Sequence, residues 1–455
     1  MRAYLEQIDT YNPQVNALVS LREQEQLIDE AQQKDIALAT RGSEGFLHGF
    51  PHAVKDLADA EGLITSHGSP IFKDYVAPSD SIHVARIKQA GAIVIGKTNV
   101  PEFGLGSHTY NPVFGPTRNA FDHSKSAGGS SGGAAVGLAM RMLPVADGGD
   151  FMGSLRNPAA FNNVIGFRPT PGLVPLADSY IEELPCNGPM GRNVPDTAML
   201  LAIMAGHSPA SPTSLPIDPA QFTQPLTKDW NGTRIGWLGN LGGYLPMEAG
   251  VIELCEHALT GFQTIGCTVE ETTLDHSMPD LWQTWLTFRH WLVRKKTLPL
   301  YSKPGLREQL KPELRWETSH GEALTADDVS KASTQRAALY HAMQTLFERY
   351  DFLVLPSAQV FPFTVETHWP DSIAGTAMDT YHRWMEVVII GTLSGCPVIN
   401  VPAGFSSTLP GGLPMGLQII SKRYADFAAL QIAAAYEEAT RWNLDYLPAA
   451  LTHPE

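Results

Sequence analysis

Long apolar runs are missing from this chain. Nowhere do the roughly 18 uninterrupted apolar residues of a membrane-spanning helix occur. The opening, Met1-Arg2-Ala3-Tyr4-Leu5-Glu6-Gln7, carries no apolar signal core. Neither export nor a membrane span is expected. Positive charge is scarce too: 32 Lys+Arg stand against 47 Asp+Glu, a formal charge of −15, which argues against a nucleic-acid surface as the main business of the protein. Cysteine is rarer still. Cys186, Cys255, Cys267 and Cys396 show no paired metal-type spacing, and a chain of 455 residues needs no disulfide framework. A reducing cytoplasm fits these absences, and the chain has neither internal repeats nor a low-complexity tail.

What is present is an ordinary globular composition, 43% apolar and 17% charged, with enough length for a sizeable core. Residues 1–33 read as helical, broken at Asn12-Pro13. Phe46 to Asp56 reads as a turn and a short strand that delivers Lys55 at its end. Ser81 to Lys97 reads as helix then strand, and a small-residue helix from Gly133 to Met140 leads into a strand at Leu143-Pro144-Val145-Ala146. From about 190 to 345 the chain is mostly helical, with strands near Arg234 to Leu238 and Cys267 to Val269. Strands return at Phe352 to Leu355, Val398 to Val401 and Gly416 to Ile420, and a helix from Ala425 to Trp442 closes the pattern. Strands from both halves of the chain are expected to form one large mixed sheet covered by helices, an α/β fold.

Two glycine clusters carry the chemistry. In Ser126-Ala127-Gly128-Gly129-Ser130-Ser131-Gly132-Gly133, two adjacent hydroxyls sit among glycines, which suits a backbone that something approaches closely; a flexible linker is the bland alternative. Gly91 to Thr98 matches the phosphate-loop pattern letter for letter, but its four middle residues are apolar and mostly β-branched, hence a strand and not an anion cradle. Gly128-Gly129-Ser130-Ser131-Gly132 also fits a nucleophile elbow, yet no strand precedes it, and the downstream His368, His382 and His453 sit in no distinctive context. The second cluster, Asp147-Gly148-Gly149-Asp150-Phe151-Met152-Gly153-Ser154-Leu155-Arg156, again ends in a serine held by a glycine. Successive amides in a turn there would make an oxyanion hole for acyl transfer. Serine needs a base, and Lys55, buried after an apolar strand, can be held neutral by desolvation; the alternative is a surface pair with Asp56 or Asp59.

Taken together these residues resemble the amidase signature family of serine hydrolases. Gly128 to Gly133 reproduces the family's glycine-serine core, and Asp150, Gly153, Ser154 and Arg156 its nucleophile segment. His52-Ala53-Val54-Lys55-Asp56 matches the lysine segment. The spacing of bridging and nucleophilic serines selects Ser130 over Ser131. Further matching pieces, Gly96 to Phe103, Gly166 to Thr170, Gly188 to Arg192 and Leu413 to Gln418, spread the resemblance over nearly the whole chain.

The resemblance implies a single domain over 1–455 with a large mixed, twisted central sheet and helices on both faces, the region 205–345 supplying substrate-specific helices. It implies a triad of Lys55, Ser130 and Ser154, with Ser130 on a cis peptide. Backbone N–H groups of Phe151, Met152, Gly153 and Ser154 would hold the oxyanion, and Asp150 and Arg156 would support the turn. Ser131 is expected to matter much less than its neighbour. No cofactor and no metal is implied. The substrate would be a small-molecule amide, cleaved to acid plus ammonia or amine through a seryl acyl-enzyme; a homodimer is compatible with this. The rivals are a glutaminase-type amidotransferase subunit working with partner subunits, and a catalytically inactive binding protein.

Two departures stand out. Phe151-Met152 occupies a turn where many members carry more glycine, and members usually have a further helix before the Tyr4 to Asn16 segment, so an internal or truncated start at Met1 is expected. Leu281-Trp282-Gln283-Thr284-Trp285-Leu286-Thr287-Phe288-Arg289-His290-Trp291-Leu292 reads as an aromatic helix stripe, more readily core or interface than pocket.

Overall fold

Apolar runs flanked by turns fold here as the buried central strands. In the computed structural model, which describes residues 1–177, 184–409 and 411–452, eight strands hydrogen-bond into one mixed sheet. Their spatial order is Val145–Asp150, Cys186–Gly191, Ile165–Arg168, Val398–Phe405, Pro414–Ser421, Phe352–Pro356, Arg234–Trp237 and Thr268–Glu271. The first five pairings are antiparallel and the last two parallel. In register, Asn400 faces Gln418 on one side and Gly166 on the other, at the centre of the sheet. Both faces are covered, so Phe352–Pro356 and Pro414–Ser421 are buried at every position and read in sequence as continuous runs. Helices Arg156–Phe161, Val251–Ala258 and Asp426–Thr440 pack on the central strands.

Two strands of this sheet, Ile165–Arg168 and Cys186–Gly191, were legible only as motif pieces. Gly166, Gly188, Pro189 and Gly191 depress their β-propensity, and tertiary pairing overrides it. The expected strand around Val145 extends further than its apolar residues suggest, running through both glycines to Asp150. Asp147 to Asp150 is therefore ladder, and the turn begins only at Phe151.

The strand ending in Lys55 does not join the large sheet. Pro51–Lys55 pairs in parallel with Ile93–Thr98, which in turn pairs with Leu18–Val19. The gap to the neighbouring edge strand is bridged by a side chain: Lys55 N–H donates to Asp147 Oδ1 at 3.1 Å. Ile93–Thr98 is buried throughout, and Lys97 donates to the carbonyl of Ala58 and to Thr65 Oγ1, so the phosphate-loop match is a core strand.

At the N-terminus the helix runs Arg2–Val15, through Pro13 and past the break expected there. Asn12 Oδ1 accepts from the amides of Ala17 and Leu18 beyond the helix end, and Asn16 closes the helix at φ 52°. The long helices Met278–Tyr301, Pro312–Glu322 and Ala326–Phe347 fill the region read as helical, while Arg234–Trp237 and Thr268–Glu271 tie it to the sheet edge. Among the described residues no helix is long and apolar enough to cross a membrane.

The helix that carries the glycine-serine stretch, Gly132–Ala139, is buried along its whole length. Its small residues let backbone approach backbone: a Cβ on Gly133 would lie 2.3 Å from Asn99 N and 2.4 Å from Ala17 O. Main chain cannot yield as a flexible side chain can. Gly133→Ala is expected to cost about 1–3 kcal/mol by overpacking, read as a lower midpoint in urea unfolding, whereas an unchanged midpoint would mean that the contact relaxes freely.

Candidate active site

Lys55 is the last residue of its strand and is only 3% exposed. Its Nζ donates to Ser130 Oγ at 2.9 Å, to Ser131 Oγ at 2.7 Å and to the Gly149 carbonyl at 3.1 Å. The surface pair with an aspartate is not formed. Asp56 turns away to accept from the amide and hydroxyl of Ser66, and the Asp59 amide donates to Ser81 Oγ. Burial lowers the Lys55 pKa to about 7, against the pull of the Asp147 and Asp150 carboxylates, which raise it. A lysine so placed is substantially neutral near neutral pH and can take a proton from a hydroxyl it touches.

The peptide bond Gly129–Ser130 is cis. The stretch around it is held from outside: Thr109 Oγ1 donates to the Gly128 carbonyl at 2.8 Å, Ser107 Oγ donates to the Gly129 carbonyl, and the Gly132 amide donates to Thr109 Oγ1 at 3.2 Å. Ser131 enters more directly than its sequence context suggests. It receives the shorter of the two hydroxyl contacts from Lys55, and its amide donates to the Ser154 carbonyl at 3.3 Å, tying the two glycine clusters together. Ser130 and Ser154 both face the same cavity as Lys55.

The turn that presents Ser154 is built on one carboxylate. Asp150 Oδ1 accepts from the Gly153 amide at 2.9 Å and Oδ2 from the Leu155 amide at 3.2 Å. Arg156 grips the same carboxylate with Nε and Nη2, both at 3.0 Å, and Arg168 donates to the Asp150 carbonyl at 2.6 Å and to Oδ1 at 3.3 Å. Burial alone would raise the pKa of Asp150, but the two guanidiniums outweigh it and hold the group well below the usual carboxylate range. Arg156 continues to the Val388 carbonyl, Gln418 Oε1 and Thr392 Oγ1, so the turn is anchored to the centre of the sheet. Gly153 stands at φ +79°, and a Cβ there would lie 2.3 Å from Asn157 Oδ1. With the Gly153 amide taken by Asp150, the amides of Phe151, Met152 and Ser154 are the ones without a protein acceptor among the described residues.

Beside this turn Asp147 organises a second buried cluster. Its Oδ1 contacts His52 Nε2 at 3.0 Å and its Oδ2 contacts His83 Nε2 at 3.3 Å. Burial opposes the charge, yet the two imidazole hydrogen bonds prevail and the carboxyl pKa is strongly lowered. Sequence reasoning assigned no role to Asp147, His52, His83, Arg168, Gln418 or Thr392. His52, Arg168 and Gln418 lie inside stretches that carried the family resemblance, and this was the available signal; nothing local marks His83 or Thr392 as partners.

The cavity in front of Ser154 has a volume of about 680 Å³. Its walls include Leu57, Phe72, Phe103, Leu105, Leu292 and Val293, with Phe151 at the turn. The aromatic stripe on Met278–Tyr301 divides its work. Trp285 is fully buried core, while Arg289, one helical turn on, and Leu292 and Val293, two turns on, reach the cavity. Arg289 lies over the Phe151 ring at 4.7 Å, and Trp285 meets that ring edge-on at 5.3 Å. The guanidinium is already occupied, donating to Glu317 Oε1 at 3.1 Å and Tyr381 Oη at 3.0 Å. His382 is buried in this cluster, His368 stacks on Tyr110, and His453 lies outside the described residues. No group of three or more His, Cys, Asp or Glu among the described residues is placed to hold a metal ion.

Comparison with known proteins gives a consistent picture. The amidase family model matches residues 1–430. An acylamidase of Rhodococcus erythropolis is 32% identical, with 97% of this chain and 91% of that protein aligned. A glutamyl-tRNA(Gln) amidotransferase subunit of Cyanothece sp. is 31% identical over 96% of this chain and 94% of its own length. In structure, a bacterial aryl acylamidase of the amidase signature enzymes superposes with a TM-score of 0.88 at 27% identity, covering 97% of this chain and 92% of the other.

The ion pair behind the turn yields a direct expectation. Arg156→Met leaves the Asp150 carboxylate buried with one guanidinium fewer, and breaking a buried pair in this way costs about 3–5 kcal/mol. Urea unfolding should show that loss, and a change below about 1 kcal/mol would mean that Arg168 alone suffices.

Proposed function

The chain belongs to the amidase family, and from that premise we propose that it hydrolyses a small-molecule carboxylic amide to an acid and ammonia or an amine, through an acyl-enzyme on Ser154. The observation that carries this reading is the contact of Lys55 Nζ with Ser130 Oγ at 2.9 Å, made by a lysine whose pKa is brought to about 7. Neutral Lys55 accepts the Ser130 proton while Ser130 accepts the Ser154 proton. Ser154 Oγ then attacks the amide carbonyl carbon. The tetrahedral oxyanion takes hydrogen bonds from the amides of Phe151, Met152 and Ser154; Gly153 acts instead by shaping the turn through Asp150. Ser130 returns a proton to the leaving nitrogen, the C–N bond breaks, and water deacylates Ser154 by the reverse relay. Ser131, at 2.7 Å from Nζ, holds the amine in line.

A glutaminase-type amidotransferase component working with partner subunits is the second reading, supported by relatives of that name at 31% identity. Two features favour the stand-alone hydrolase. The cavity wall is largely apolar, and its buried guanidinium, Arg289, already answers to Glu317 and Tyr381, so its charge is not reserved for the carboxylate of glutamine.

The test is amide turnover by the chain without partner subunits. Wild type should release ammonia or amine from members of an amide panel, and Ser154→Ala should lower kcat by on the order of 10³-fold or more. Release that survives the substitution would remove Ser154 from the mechanism; no release from wild type would favour the partner-dependent or inactive readings. Because only neutral Lys55 can accept a proton, kcat/KM should climb about tenfold per pH unit below its pKa and level off above about 7. A profile flat from acid to alkaline pH would exclude a lysine base.

A further inference from the structure

Three rings line one wall of the cavity close to the proton bridge. We infer that the rings of His67, Phe72 and Phe103 form the subsite for the leaving amine, so that the favoured substrates are N-aryl amides. The inference rests on the amidase reading above, in which Ser130 delivers the proton to the departing nitrogen. That nitrogen must then come within hydrogen-bond reach of Ser130 Oγ, and whatever it carries lies on the Ser130 side of the scissile bond.

The wall on that side is the segment around Gly104. A Cβ on Gly104 would stand 3.5 Å from Ser130 Oγ and 2.7 Å from Leu57 Cδ1, so the main chain here is flush against the bridging hydroxyl. Phe103 is its direct neighbour. The Phe103 ring lies parallel to His67, with centroids 6.2 Å apart and planes 7° from parallel. Phe72 meets both edge-on, at 5.3 Å from His67 and 6.0 Å from Phe103. All three rings line the cavity and are only partly buried. A flat aromatic guest can add to such a set face-on or edge-on; a bare ammonia leaving group would gain nothing from it.

The backbone gives an independent sign that these rings are placed for a purpose. His67 and Phe103 both stand at φ 53°, a conformation uncommon for residues with side chains, and the Phe103 amide donates to the His67 carbonyl at 2.8 Å. Such conformations persist where the surroundings enforce them and gather at ligand sites. Burial also lowers the His67 pKa to about 4, against a weaker pull from Asp59, so at neutral pH the imidazole is an uncharged aromatic face. In this reading the acyl group lies toward Phe151 at the oxyanion turn, whose ring has Arg289 over it and which lines the same cavity.

The experiment compares leaving groups at a fixed acyl group. Acetyl, butyryl and phenylacetyl compounds are each presented as the primary amide and as the anilide, to wild type, Phe103→Leu and Phe72→Leu. The ratio of kcat/KM for anilide over primary amide should fall at least tenfold in each variant, whatever happens to absolute activity. Aniline should inhibit wild type competitively, and its inhibition constant should rise at least threefold in a variant, a readout that needs no anilide turnover. A ratio unchanged within twofold in both variants, or primary amides cleaved by wild type with neither anilide turnover nor inhibition by aniline, overturns the aryl subsite and leaves the amidase reading standing. Failure of wild type to cleave any compound of the panel, primary amide or anilide, takes both down.

Discussion

An ammonium group removed from water must either be paired with a negative charge or give up its proton. At Lys55 the surroundings stop halfway. Two carboxylates, Asp147 and Asp150, lie close enough to raise its pKa, yet neither hydrogen-bonds to Nζ; the three contacts there are two hydroxyls and a carbonyl. Asp147 is engaged by His52 and His83 and by the Lys55 amide, and Asp150 by Arg156 and Arg168. Were either carboxylate free to pair with Lys55, the amine would stay charged and could not act as a base. In the proposed mechanism the histidines and arginines around the site are therefore as much a part of the base as the amine itself.

The arrangement of strands follows from the same constraint. If Pro51–Lys55 were paired directly to Val145–Asp150, main-chain ladders would occupy the edge where Asp147 now reaches the Lys55 amide. Keeping the lysine in a separate three-stranded sheet opens a seam, and the Gly132–Ala139 helix fits beside it because its residues are small. Both glycine clusters meet in that seam, joined by the amide of Ser131 and the carbonyl of Ser154.

Much of this was legible in sequence, and the boundary has physical reasons. Lys55 at a strand end, the rejected phosphate loop and the central runs Phe352–Pro356 and Pro414–Ser421 follow from short-range pattern, which is strong where burial is complete. The strands Ile165–Arg168 and Cys186–Gly191 were hidden because glycine and proline mask them and only their neighbours hold them extended. The reach of Val145–Asp150 was misjudged for the same reason: Gly148 and Gly149 look like a turn, yet a side chain on Gly148 would lie 2.9 Å from Ser131 Oγ, so they are glycines of close approach. Thr392 could not be found as a partner of Arg156, since nothing along the chain brings the two together before the sheet forms, and Gln418, though inside a matching stretch, bears no local mark of that contact.

Phe151 shows how a departure in sequence can be absorbed by structure. A side chain at the turn threatens to disorder the amides to which the proposed mechanism gives the oxyanion, but the backbone there does not rely on glycine alone. Asp150 fixes the turn from one side, while the Phe151 ring is pinned between Arg289 and Trp285 on the other. Arg289 is itself held by Glu317 and Tyr381, which come from different segments of the chain. The ring thus does two things at once: it steadies the amides behind it and presents an apolar face to the cavity. The Phe151 side chain thereby becomes part of the cavity wall, held in place by the cation behind it.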